Sequence, residues 1–195
     1  MLNTKCLGLL SLTMLLGCAA HQVQYIDPMD ARSTSAGLSH ADFKRMSQDI
    51  VSQMLDDVAL DARLPDRSVL LLGSIKNRTY DHLDGMAFGQ ILRQSMRSTQ
   101  RFAFVDQERL DDLLDQWELR RTGLVEKDHA MKAGALLNAR YICFASVSST
   151  YQRGGRVKDV SYMLSLELTD VSNGEILWTG QTDIRKMQKQ ARFGI

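Results

Sequence analysis

Cysteine is scarce in this chain, with three among 195 residues. Cys6 and Cys18 lie in the first stretch and Cys143 stands alone in the remainder, which excludes an intramolecular disulfide framework and a cysteine-rich metal site. Proline is scarcer, with Pro28 and Pro65 the two examples. Neither sign of charge dominates: Lys+Arg 24 against Asp+Glu 23 gives +1. A neutral protein has no general electrostatic claim on nucleic acid or on anionic lipid, so neither is expected as a partner. Neither Gly-rich phosphate motif occurs, GxGxxG or GxxxxGK, and HExxH, CxxC and GxSxG are missing as well. His21, His40, His82 and His129 are scattered, and none recurs at ligand spacing with an acidic partner. No catalytic residue, metal ligand or cofactor is predicted. Cys143 falls within Tyr141-Ile142-Cys143-Phe144-Ala145, the setting of a buried and inert thiol.

What is present begins at the N-terminus. Lys5 supplies a positive n-region, and Cys6 through Leu16 form an apolar segment of signal length, too short to span a bilayer. Leu15-Leu16-Gly17-Cys18 closes it and resembles the bacterial lipobox, in which the cysteine is acylated and becomes the mature N-terminus. Ala19 stands where an inner-membrane retention signal would place Asp. The resemblance implies an outer-membrane lipoprotein facing the periplasm, with Cys18 as the lipidated residue. Residues 1–17 are then the signal peptide. Residues 18–38 lack periodicity and carry Pro28, Gly37 and Arg32-Ser33-Thr34-Ser35, which reads as a flexible tether. About twenty residues of coil have a typical end-to-end distance on the order of 25 Å and stretch to about 70 Å. Residues 39–195 form one globular domain.

Within that domain, Ser39 followed by Asp42 reads as a helix start, with Phe43, Met46, Ile50, Met54 and Val58 on one face of a helix from about His40 to Leu60. Val69-Leu70-Leu71-Leu72 is apolar on both sides, as a strand inside a sheet must be. After the loop Asn77-Arg78-Thr79-Tyr80-Asp81, Asp84 caps a helix from Gly85 to about Thr99 with Phe88, Ile91, Leu92 and Met96 inward. Phe102–Val105 is a short strand. Helices follow over about Gln107–Arg120, with Leu110, Leu113, Leu114 and Trp117 inward, and over about Lys127–Leu137. The last third is strand: Tyr141–Ser148, a segment where Tyr162, Leu164, Leu166 and Leu168 alternate with polar residues, and Glu175–Thr182 after an Asn173-Gly174 type I′ hairpin turn. The order αβαβααβββ predicts a single α/β domain with a mixed sheet of four to five strands.

A tethered domain without a catalytic constellation works by binding. If the helices cover one sheet face, strand parity leaves Met163, Ser165 and Glu167 on the other, with Phe144 as a possible neighbour. A mixture of methionine, aromatic and polar groups suits a protein partner. The loop carrying Arg78 and Tyr80 is a second candidate patch. The flexible basic stretch Gln152-Arg153-Gly154-Gly155-Arg156-Val157-Lys158 is a third feature, which hairpin composition also explains.

One family resemblance joins these segments. Ser68-Val69-Leu70-Leu71, Ser74, Asn77-Arg78-Thr79, Phe102, Val105, Ala139-x-Tyr141 and Gly174-Glu175-Ile176-x-Trp178-x-Gly180 resemble the LpoB family of outer-membrane lipoproteins that activate bifunctional class A penicillin-binding proteins. The chain is more distantly similar to the N-terminal domain of TolB and to the curli-secretion lipoprotein CsgG. The resemblance implies a monomeric, non-catalytic domain that crosses to the cell wall on its tether. There it would dock on a periplasmic accessory domain of the synthase and raise peptidoglycan synthesis. Better-known members carry a long proline-rich linker, and this one is short. The alternative, a CsgG-like secretion or structural lipoprotein, would need a hairpin with a lipid-facing side, where this chain has Ser165, Glu167 and Thr169.

Overall fold

The computed structural model describes residues 36–65, 67–106, 109, 110, 112, 127–154 and 157–189. The signal segment, Cys18 and the tether up to residue 35 lie outside the described residues. So does most of the helix expected over Gln107–Arg120, including Leu113, Leu114 and Trp117; Arg109, Leu110 and Asp112 are helical.

The elements run α1 (His40–Leu55), α2 (Val58–Asp61), β1 (Ser68–Arg78), α3 (Gly85–Arg97), β2 (Phe102–Phe104), α4 (Lys127–Leu136), β3 (Tyr141–Gly154), β4 (Val157–Asp170) and β5 (Ile176–Lys189). The strands form one five-stranded sheet in the order β2-β1-β3-β4-β5. β1 is parallel to both neighbours, whereas β3, β4 and β5 form an antiparallel meander. The mixed α/β sheet expected from the sequence is the observed one.

Helix α1 starts at a reciprocal capping box: the Asp42 N–H donates to Ser39 Oγ at 3.2 Å, and the Ser39 N–H donates to Asp42 Oδ2 at 2.9 Å. It ends at Leu55, short of the expected boundary. Asp57 caps the separate turn α2, its Oδ1 accepting from the Leu60 N–H at 3.0 Å. The break takes Val58 off the apolar face, and it is exposed. Asp84 caps α3 by accepting from the N–H groups of Met86 and Ala87, both at 3.0 Å.

Two cores sandwich the sheet. On one face, Phe43, Met46, Ile50 and Met54 of α1 and Phe88, Leu92 and Met96 of α3 pack on Leu70, Leu72, Tyr141, Cys143, Tyr162, Leu164, Leu166 and Leu168. Phe43 and Phe88 stack at 4.2 Å between ring centroids and lock the two helices together. At roughly 1.5–3 kcal/mol per large apolar side chain, this layer dominates the fold's stability. Burial pushes the Cys143 thiol up, so it stays protonated and inert. On the other face a smaller core joins Ala130 and Ala133 of α4 to Leu71, Ile142 and Leu110. Small residues bring α4 close: a Cβ at Gly134 would lie 3.0 Å from Ile142 Cδ1.

Three local expectations are corrected. β1 runs through Asn77 and Arg78, which the sequence reading placed in a loop. β3 and β5 extend well beyond Ser148 and Thr182. The β4–β5 connection is longer than a two-residue type I′ turn. Asp170 Oδ1 accepts from the Ser172 N–H at 2.8 Å and starts a turn over Val171–Glu175, so that Gly174 alone adopts positive φ, at 74°.

Candidate functional site

Among the described residues, α4 covers only the Tyr141 end of the second sheet face. Beyond it, cross-strand register sets out three rows. Phe144, Glu167 and Thr179 form the first, at the edge of the smaller core. Lys76, Ser146, Ser165 and Gln181 form the second, and Arg78, Ser148, Met163 and Asp183 the third. The register therefore joins two patches that the sequence left separate: Arg78 and Met163 share one row, two strand spacings apart, or about 10 Å.

Met163 is 36% exposed among exposed Arg78, Lys76, Gln181 and Asp183, with Ser165 and Glu167 half-buried. Thr169 Oγ1 donates to Glu167 Oε1 at 3.0 Å and holds that carboxylate near the sheet. Farther along, Arg185 clamps Asp159, with Nε 3.0 Å from each carboxylate oxygen; this contact holds the Asp159 carboxyl below its ordinary value. Phe144 is half-buried and packs on the smaller core, which makes it a wall of the face. The central rows carry small hydroxyls, so the surface is flat, hydrogen-bonding and rimmed by both charge signs. It offers a partner shape and polar complementarity. Among the described residues, no group of three or more His, Cys, Asp or Glu is placed to hold a metal.

Tyr80 belongs elsewhere. At 89% exposure it stands on the rim of a cleft of about 400 Å³ lined by Asp81, Ser149, Tyr151, Lys158, Val160 and Tyr162. The β3 and β4 residues of this cleft have the parity of the helix-covered face, so it opens on the opposite side from Met163. The Tyr162 hydroxyl meets both the Asp81 carboxylate and the Ala36 carbonyl oxygen, the latter at 3.1 Å. Burial, and then the Asp81 carboxylate, push the Tyr162 hydroxyl's pKa up, so it remains a donor. Strand parity could place Tyr151 and Tyr162 on one face. Their meeting with Tyr80 depends on a loop fold that parity does not encode.

A protein-family model described as "Peptidoglycan-synthase activator LpoB" matches residues 42–184. The chain belongs to the LpoB family. The match spans β1 to β4, the first part of β5 and all three rows of the open face. Among LpoB proteins, the "Penicillin-binding protein activator LpoB" of Serratia proteamaculans (strain 568) is 30% identical over 144 residues, 73% of this chain and 68% of that protein. The protein of the same name from Escherichia coli (strain K12) is 28% identical over 145 residues, 74% of this chain and 62% of its own length. The chain thus matches less than two thirds of that relative. The LpoB C-terminal domain from Salmonella enterica superposes with a TM-score of 0.57 at 26% identity, covering 73% of this chain and 98% of that domain.

The two motifs that carry the LpoB resemblance have local structural work. Asn77 Oδ1 accepts from the Thr79 N–H at 2.9 Å, and Asn77 Nδ2 donates to the Asp81 carbonyl oxygen at 2.9 Å, which turns the chain off β1. In the closing motif, Gly174 supplies the positive φ, Glu175 meets Arg63 at 2.7 Å, and the buried Trp178 ring lies over Gly180.

Proposed function

We propose that this chain is an outer-membrane lipoprotein that binds and activates a bifunctional class A penicillin-binding protein, docking on a periplasmic accessory domain of that synthase. The supporting observation is the family match over residues 42–184, which includes all three rows of the open sheet face. Lipidated Cys18 anchors the chain in the outer membrane, and the domain acts as a monomer without cofactor or catalytic step of its own. Arg78, Met163, Ser165 and Glu167 form the docking face, Phe144 supports it from the smaller core, and Tyr80 is a second contact point, at the cleft on the opposite side of the sheet. Activation is then an effect of binding: a partner shifts a synthase's activity only through its differential affinity for the active state.

The test is a purified assay of glycan polymerisation by a class A penicillin-binding protein, with and without residues 19–195 of this chain. Polymerisation should accelerate on addition, and the added chain alone should form no product. Binding with a Kd near 1 μM corresponds to about −8 kcal/mol. An unchanged rate, with no binding at tens of micromolar, would refute the proposal.

A further inference from the structure

β3 outruns its parallel neighbour. β1 pairs with it only as far as Arg78 opposite Ser148, because the Asn77 side chain then turns the chain away through Thr79 and Asp81. β4 continues alongside β3 to the pair Gly154 and Val157. Among the described residues, Ser149–Gly154 therefore has a strand on one side only. Unpaired N–H and C=O groups along such an edge are a template for another strand.

The cleft lies beside this bare edge. It is lined by Ser149 and Tyr151 of the edge itself, by Tyr80 and Asp81 of the departing loop, and by Lys158, Val160 and Tyr162 of β4. The loop is fixed there by the hydroxyl of Tyr162 on the Asp81 carboxylate. Lys158 Nζ sits 5.4 Å from the centre of the Tyr151 ring, at the cleft, and Arg153 occupies the facing register position. A free edge adjoining a side-chain pocket is the arrangement by which strand addition achieves both affinity and selectivity: main-chain bonds supply the first, and alternate side chains in pockets supply the second.

We propose that Ser149–Gly154 accepts an extended peptide segment of a partner protein, which continues the line of β1 and drops an acidic side chain into the Tyr80–Tyr151 cleft toward Lys158. Charge complementarity commits the occupant. Asp81 is engaged by Tyr162, whereas Lys158 offers ammonium donors above an aromatic face. Identifying that partner with the synthase rests on the reading given above; the peptide chemistry does not.

Selection from a phage-displayed library of random dodecapeptides against residues 19–195 tests this. Enriched peptides should share an Asp or Glu flanked by residues of strand propensity. Their binding should shift the backbone amide resonances of residues 149–153. Tyr151→Ala should weaken them at least about tenfold with an unchanged unfolding midpoint. Lys158→Glu should redirect selection to peptides with Lys or Arg at the same place. The purified synthase should then displace a selected peptide. Failure to enrich any peptide, or mapping to the face of Met163 and Gln181, would overturn the proposal even if the synthase is activated. Peptide binding at the edge that an activated synthase does not displace would overturn the partner assignment and leave the activation reading intact.

Discussion

The ammonium of Lys186 lies 2.6 Å from Oδ2 of Asp42, joining the last strand to the first turn of the first helix. The same ammonium donates to the Gly37 carbonyl oxygen at 2.7 Å. Both side chains of the pair are nearly buried. Burial alone would raise the Asp42 carboxyl, but the bonds from Lys186 and Ser39 outweigh it and hold the pKa below its ordinary value.

Removing one partner strands a charge. Lys186→Met should cost about 3 kcal/mol, read from the urea midpoint at pH 7, and Asp42→Asn in the same chain should recover part of it. A depressed carboxyl stabilises fully above its unfolded pKa of about 4 and loses that contribution as pH falls through the folded value. The gap between the parent and Lys186→Met should therefore narrow as pH falls below the unfolded value and through the depressed folded one. A constant gap across that range would place the effect in packing.

Gly180 is irreplaceable for a steric reason, since a Cβ there would overlap the buried Trp178 ring. Gly180→Ala should destabilise the domain by about 1–3 kcal/mol, with altered tryptophan fluorescence. Pairing it with Trp178→Leu should return most of the loss.

The open face should separate binding from folding. Met163→Ala and Arg78→Ala should each weaken synthase binding by about tenfold, some 1.4 kcal/mol, while leaving the unfolding midpoint within about 0.5 kcal/mol. Phe144→Ala should instead lower stability, because that ring closes the smaller core. Circular dichroism melts run beside the binding titration distinguish the two classes.

If Cys18 carries the proposed lipid anchor, Cys18→Ser should release the chain from the outer-membrane fraction, since acyl chains contribute about 0.8 kcal/mol per buried CH₂. Retention of the variant would contradict the lipoprotein reading.

The domain boundary gives a fifth expectation. Ala36 is buried in the main core, with its carbonyl bound by Tyr162. A fragment that begins at Ser39 should unfold at lower urea than one beginning at Ser35, and Tyr162→Phe should reproduce part of that loss in the longer fragment.

Elements with a local signature were legible before the fold was known. The Ser39 and Asp84 caps, the alternation from Tyr162 to Leu168 and the doubly apolar start of β1 each carry their own physical cause within a few residues. What local pattern could not carry was register. Nothing near Arg78 in sequence says that it shares a row with Met163, because that depends on how β1 and β4 slide against β3. The polar end of β1, Asn77-Arg78, read as loop because its strand character is imposed by β3. Val58 looked like a helix-face residue because it keeps the spacing of Met54, and Asp57 competes for the backbone as a cap. The five-residue span Val171–Glu175 misled in the same way. Asn-Gly is the strongest short hairpin signal, and the Asp170 side chain claimed the turn one step earlier.

The hold on Ala36 and Gly37 has a mechanical consequence. Any pull on the chain ahead of Ala36 is received first by Tyr162 in an interior strand and by Lys186 in β5, before it reaches the capping box of α1. The load is thereby spread across strands that share an antiparallel ladder over most of their length, and the leading helix is shielded from being peeled away. Tension on the chain ahead of Ala36 then acts on the orientation of the domain without unravelling the face it presents.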